Sequence, residues 1–223
     1  MKVIGIKHKV DTSNNVEEYV GKIAGAMKFN PDIIFGPDYA LSFTDKEDIN
    51  DFNQRDIAIN KLEELSKDFP KTIILPGTGP FILRKGVMGH AIPMISNGKT
   101  ICEFRKETNV GDSRFAKRNG LVYERGDSSN NKFYKEDKKI TVEICSDHGK
   151  QRIDKDTYLE LISAYDDRAG FYLRPGSDDF SRFAIVADGF APKVDGFYYD
   201  HISRQPRFLE EQIKGDLHIF DLQ

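Results

Sequence analysis

Short apolar runs closed by glycine or proline, with helix-spaced segments between them, constrain this chain more than any other feature. "KVIGIKH" (2–8), "DIIFG" (32–36) and "KTIILPG" (71–77) read as buried strands. Between the first two, Val16, Val20, Ile23, Ala24 and Met27 share one helical face. "DTSNN" supplies N-cap residues ahead of that helix, and Pro31 closes it. Between the second and third, Ile57, Ala58, Leu62, Leu65 and Phe69 recur near helical spacing. Strand, helix and strand in this order predict a parallel crossover.

The texture then changes. "GHAIPMISNGKTICEFRK" (89–106) is two extended runs around Asn97-Gly98, the strongest short hairpin signal. A second hairpin runs from "NKFYK" through "EDK" into "KITVEIC". Residues 154–165 read as a helix with Tyr158, Leu161 and Ile162 inward. "GFYLRPG" (170–176), "RFAIVADG" (182–189), "GFYYDHIS" (196–203) and "DLHIFDL" (216–222) are further extended candidates. Residues 107–131 form the longest irregular stretch, a lid or a mobile loop. The pattern predicts an α/β fold with mixed sheets. No linker divides the chain, so a single domain over 1–223 is expected.

Composition removes several function classes. The 223 residues carry a net charge of -3, which argues against a nucleic-acid partner. The basic run "RFAKRNG" (114–120) reads as solvated loop, since neutralising several phosphates takes a larger cluster. No apolar run approaches the roughly 20 residues that cross a bilayer, and "MKVIGIKHKV" reads as a first strand rather than a leader. A cytoplasmic location with no membrane partner is therefore expected. Two cysteines are too few for a disulfide framework. "GTG" (77–79) is a turn rather than a phosphate loop, and "RGD" (125–127) is an accidental tripeptide. No second ligand cluster with zinc spacing accompanies Cys145, Asp147 and His148, so neither metal nor cofactor is called for.

Three strands each end at a chemically capable side chain. "DIIFGPDYALS" runs into Asp38, "KTICEFRKETN" into Lys106 and "ITVEICSDHG" into Cys145. Ligand sites in α/β sheets gather at strand ends, where loops can be shaped without disturbing the core. An acid, an ammonium and a thiol suffice for nucleophilic acyl chemistry: the carboxylate takes the thiol proton, the thiolate attacks a carbonyl carbon, and the ammonium holds the oxyanion. The backbone N–H of Ser146 is a candidate second oxyanion donor. His148 suggests a Cys–His dyad, but such pairs are normally brought together by the fold, so a pocket-lining or substrate-binding role is the alternative. Cys102, inside a hairpin strand, reads as structural.

These segments resemble the nitrilase superfamily, the carbon–nitrogen hydrolases. That family pairs a strand–Pro–Glu–Tyr segment with an Arg–Lys segment after an Asn/Asp–Gly hairpin and an Ile–Cys–x–Asp segment closing a strand. "IIFGPDYALS", "GHAIPMISNGKTICEFRK" and "KKITVEICSDHGK" match in that order, over roughly residues 1–150. The resemblance implies a four-layer α-β-β-α sandwich and a Glu–Lys–Cys set mapped onto Asp38, Lys106 and Cys145. The departure is Asp38, one methylene shorter than the family's glutamate. For the family's second acid, Glu107, Asp112 and Glu124 are candidates, and Asp112 is preferred for its place in the loop after the lysine. The implied activity is hydrolysis of a small-molecule amide or related non-peptide C–N bond through a thioester, in a homodimer. The alternatives are an inactive nitrilase-like binding module and a deamidase acting on a protein side chain.

Overall fold

The computed structural model describes residues 1–10, 15–42, 52–107, 111–147, 156–165, 182–200 and 205–223. Two sheets face each other. The first holds β1 (Lys2–Ile6), β2 (Ile33–Phe35), β3 (Ile73–Leu75), β4 (Gly79–Arg84), β5 (Val87–Ser96), β6 (Lys99–Arg105), β7 (Val122–Tyr123), β14 (Gln212–Lys214) and β15 (Leu217–Asp221). The second runs β13 (Gln205–Phe208), β12 (Lys193–Asp200), β11 (Phe183–Asp188), β10 (Thr157–Ala164), β9 (Lys138–Ile144) and β8 (Lys132–Lys135). β1, β2 and β3 are mutually parallel, as are β9, β10 and β11, and hairpins flank both sets. Both sheets are therefore mixed.

Side-chain alternation sorts each strand between two environments. Val3, Ile33, Phe35, Leu75, Ile92 and Phe220 of the first sheet meet Ile140, Val142, Ile144, Leu161 and Ile185 of the second in one buried core. The intervening residues Ile4, Ile6, Ile34, Ile74 and Ile95 turn the other way, under helices α1 (Val16–Met27) and α2 (Phe52–Lys67). On the far face of the second sheet Ile162, Ala164, Ala184, Val186 and Phe197 form a separate buried cluster.

The expected helix starts and turns are present. Asn15 caps α1, its side chain accepting from the Glu18 N–H at 2.7 Å. Both hairpin turns place two successive residues at positive φ, Asn97 (49°) with Gly98 (79°) and Glu136 (49°) with Asp137 (61°). That is the turn whose twist matches the strands it joins.

Two expectations are corrected. The segment read as a helix over 154–165 contains strand β10, buried along almost its whole length. Tyr158, Leu161 and Ile162 mimic helical spacing because a strand covered on both faces carries apolar residues at consecutive positions. The stretch 107–131 is not wholly irregular: it holds helix α3 (Asp112–Arg118) and β7. α3 buries only Asp112 and Ala116 and so presents no apolar stripe to the sequence. The extended candidate over 170–176 lies outside the described residues. Among the described residues no helix is long and apolar enough to cross a membrane.

The sheets approach closely at Gly5, where a methyl group would overlap the buried side chain of Val194. Gly5→Ala is expected to lower stability to urea denaturation by about 1–3 kcal/mol. Adding Val194→Ala should recover part of that loss; an undiminished loss in the double variant would contradict direct packing at this point.

Candidate active site

The C-terminal ends of the two parallel strand sets meet at one place. The loop leaving β2 carries Asp38, whose N–H donates to the Ala164 carbonyl at the end of β10 (3.2 Å). The Gly189 N–H, just after β11, donates to the same carbonyl at 3.0 Å. Lys106 follows β6, and its N–H extends the hairpin ladder to the His90 carbonyl (2.9 Å). Cys145 follows β9 directly. Asn131 spans the two sheets: its side chain pairs with the Arg105 N–H and C=O, and its own carbonyl accepts from the Val142 N–H. The Glu107 N–H donates to Asp147 at 2.8 Å, tying the residue after the lysine to the turn after the cysteine.

Cys145 opens a single turn of 3-10 helix, Cys145–Asp147, at φ 48°. Left-handed backbone at a residue with a side chain is uncommon and persists where the surroundings over-determine it. Tyr39, beside Asp38, is also left-handed at φ 61°. The acid and the thiol are thus both presented from sharp bends at strand ends.

Asp38 is fully buried, Lys106 is 5% exposed and Asp112 2%. The Lys106 Nζ lies 3.0 Å from Asp112 Oδ2 and 3.8 Å from Asp38 Oδ2. Burial opposes the ammonium, but the Asp38, Asp112 and Cys145 charges outweigh it and hold Lys106 well above the ordinary lysine range. Burial would likewise raise the Asp38 carboxyl; Lys106 and His90 reverse that and keep it below its usual value. Asp38 Oδ1 accepts from Thr78 Oγ1 and from the Tyr39 N–H (3.2 Å), and faces His90 Nε2 at 3.0 Å. Its Oδ2 is buried and accepts no hydrogen bond among the described residues. That oxygen is the one open to receive a proton.

Of the three acids considered after the lysine, Asp112 at the start of α3 is the one brought to Lys106. Glu107 accepts from Ser128 Oγ, and Glu124 pairs with Arg84 and Arg105 away from the site. The Ser146 backbone lies in the turn after Cys145. His148 lies outside the described residues. Cys102, read as structural, is instead exposed on β6. The sequence reading missed His90, Thr78, Tyr39 and Asp147. His90 carried a signal: on β5 it shares a face with Ile92 and Met94, which point into the core between the sheets. A histidine in such a row needs polar partners. Tyr39 adds a hydroxyl that donates to Asp112 Oδ1 at 2.8 Å, and its ring lies 5.7 Å from the Lys106 ammonium. Burial, with Asp112 and Asp38, raises its pKa well above the usual value, so it remains a phenol donor. Among the described residues no group of three or more His, Cys, Asp or Glu is arranged to hold a metal ion.

This architecture recurs in solved structures. An amidase from Nesterenkonia sp. AN1, carrying acrylamide at its active-site cysteine, aligns over 100% of this chain and 93% of its own, with a TM-score of 0.67 at 12% identity. Another structure of that enzyme, described as an amidase from the nitrilase superfamily, aligns over 100% and 90% with the same TM-score and identity. The chain has the nitrilase-superfamily fold. A glutamine-dependent NAD(+) synthetase from Cytophaga hutchinsonii also matches, with a TM-score of 0.66 at 16% identity, over 99% of this chain and 42% of that one. No family model matches the sequence, and no curated protein does. The nitrilase fold is therefore visible in the backbone at identities of 12–16%.

The two thiols sit in different surroundings. Desolvation and the Glu103 carboxylate push the Cys102 thiol up, whereas the Cys145 charge couples to the Lys106 ammonium. With iodoacetamide near neutral pH, Cys145 is expected to label faster than Cys102, because the Lys106 ammonium favours its thiolate. Lys106→Gln should remove the preference. Equal labelling in the unaltered protein, read by peptide mass spectrometry, would contradict the electrostatic picture.

Proposed function

We propose that this chain is a cysteine hydrolase of a non-peptide C–N bond, acting on a small-molecule amide and releasing ammonia or an amine. The observation that carries the proposal is the buried Lys106 ammonium paired to both Asp38 and Asp112, electrostatically coupled to Cys145 at a strained strand end. Buried charge with shifted pKa values at converging strand ends is where a catalytic site is expected.

The cycle follows from the atoms. Asp38 Oδ2 takes the Cys145 proton as the sulfur attacks the carbonyl carbon and the C=O electrons move to oxygen. The resulting oxyanion is held by the Lys106 ammonium and the Ser146 backbone N–H. The intermediate collapses, the C–N bond breaks, and the departing nitrogen takes the proton from Asp38. A thioester is left on Cys145. Asp38 then removes a proton from water, the hydroxide oxygen attacks the thioester, and the C–S bond breaks to release a carboxylic acid. Asp38 returns the proton to sulfur. Asp112 holds Lys106 in line throughout, and no metal or cofactor enters any step.

Short aliphatic amides test the proposal by ammonia release. Cys145→Ala and Cys145→Ser are expected to abolish turnover with the circular dichroism spectrum unchanged. Asp38→Asn should lower kcat by about 10²–10⁴-fold, the usual contribution of a positioned acid–base group. Ammonia release by Cys145→Ala at the unaltered rate would refute the mechanism. The inactive-module alternative predicts no turnover from any variant. The protein-deamidase alternative predicts ammonia only when a folded protein is supplied.

A further inference from the structure

We propose that His90 is a positioning residue, held as an imidazolium between Asp38 and Asp112, which keeps both aspartates ionised at once and aims the shorter acid at the reacting sulfur. The proposal rests on the hydrolase reading for its catalytic consequence but not for the charge state it assigns.

Geometry comes first. His90 is 1% exposed on β5. Its Nδ1 lies 2.7 Å from Asp112 Oδ1, and its Nε2 lies 3.0 Å from Asp38 Oδ1 and 2.5 Å from Thr78 Oγ1. A neutral imidazole carries one N–H; given to Asp112 from Nδ1, it would leave an Nε2 lone pair against Thr78 Oγ1, whose own proton goes to Asp38 Oδ1. An imidazolium donates from Nδ1 to Asp112 and from Nε2 to Thr78 Oγ1, with Asp38 Oδ1 3.0 Å from the same Nε2. The charges on the ring come from two elements, Asp38 after β2 and Asp112 on α3, and both of these acids pair in turn with Lys106 after β6. The Tyr39 ring packs against it at 4.6 Å, and Tyr123 of β7 couples to Asp112, Lys106 and Asp38 as a high-pKa phenol.

The charges then balance. Two carboxylates near one ammonium would leave an excess negative charge in a buried site, and one acid would retain a proton. A second cation between them removes that excess. Burial works against the charged ring, but Asp112 and Asp38 outweigh it and hold the His90 pKa above the ordinary imidazole value. With that pKa raised, the cation persists to higher pH than an ordinary imidazolium and is lost as pH rises through the raised value. His90 also fixes which oxygen of Asp38 is free. It shares Oδ1 with Thr78 and the Tyr39 N–H and leaves Oδ2 facing Lys106. A glutamate could reach the sulfur from a looser carboxylate; an aspartate must be aimed from behind.

The charge state can be read without any substrate. In protein labelled with 15N-histidine, both His90 ring nitrogens are expected to be protonated at about pH 7, above the ordinary imidazole pKa of about 6.5. A singly protonated ring there would overturn the proposal. His90→Gln keeps a hydrogen-bond donor but no charge. With propionamide as probe, its acid limb of kcat against pH should move up by about one unit or more, because one aspartate now holds a proton to higher pH. A merely structural role would lower kcat at every pH and leave the limb in place, and that result would also overturn the proposal. If His90→Gln does not fold, the spectrum of the unaltered protein decides alone. Failure of the hydrolase reading shows separately, as no ammonia release from the unaltered protein or as release surviving Cys145→Ala.

Discussion

A lysine ammonium buried against two aspartates sets the terms for everything around it. Removing an ion from water costs several kcal/mol even after relaxation, and only close pairing offsets it. Lys106 meets that requirement with Asp112 and Asp38, and Asp112 in turn accepts from Tyr39. Such a cluster is weak evidence for stability, since an apolar core of the same volume would serve as well or better. Under the proposed function, its worth lies in what a fixed positive charge would do for a neighbouring sulfur and for an oxygen that becomes negative during reaction. The cluster is best understood as chemistry that the fold carries, not as a support for the fold.

The fold supplies positions by making parallel strands end together. β2 and β3 of one sheet and β9, β10 and β11 of the other finish at the same edge, so short loops from both sheets reach one point. Two backbone hydrogen bonds stitch the sheets there, from the Asp38 N–H to the Ala164 carbonyl and from the Val10 N–H to the Gly189 carbonyl. Gly189 is required by that stitch, because a methyl at this residue would press on the Asp38 carbonyl oxygen and on Val10. The left-handed bends at Tyr39 and Cys145 cost on the order of 1–3 kcal/mol each. The buried strands that enter them, β2 and β9, anchor those bends.

Much of this could be read from the residues, and the gaps have physical causes. Apolar runs at Ile33–Phe35, Ile73–Leu75 and Lys138–Ile144 mark strands because each ends in a turn residue or a charged break. Asn97-Gly98 marks its hairpin because few residues tolerate two successive positive φ values. β10 was misread because a doubly buried strand has no alternation to show. β4 escaped because it opens Gly-Pro directly after a glycine-rich turn. At the site, Asp38, Lys106 and Cys145 were legible as strand-end residues. Asp112 was legible only as one of three acids, since its contact with Lys106 depends on where α3 docks. His90 was hidden by separation: its partners lie 52 positions before it and 22 after, and only the folded sheet brings them together.

The central claim is that Lys106, Asp38 and Cys145 act on the same few atoms. The most direct measurement is a crystal structure of the protein alkylated at Cys145 with iodoacetamide, which plants an amide on the sulfur. The account predicts that the amide oxygen lies within hydrogen-bond reach of Lys106 Nζ, with Asp38 Oδ2 beside the sulfur. An adduct directed into solvent, with Lys106 and Asp38 paired to each other and touching neither amide nor sulfur, would contradict it.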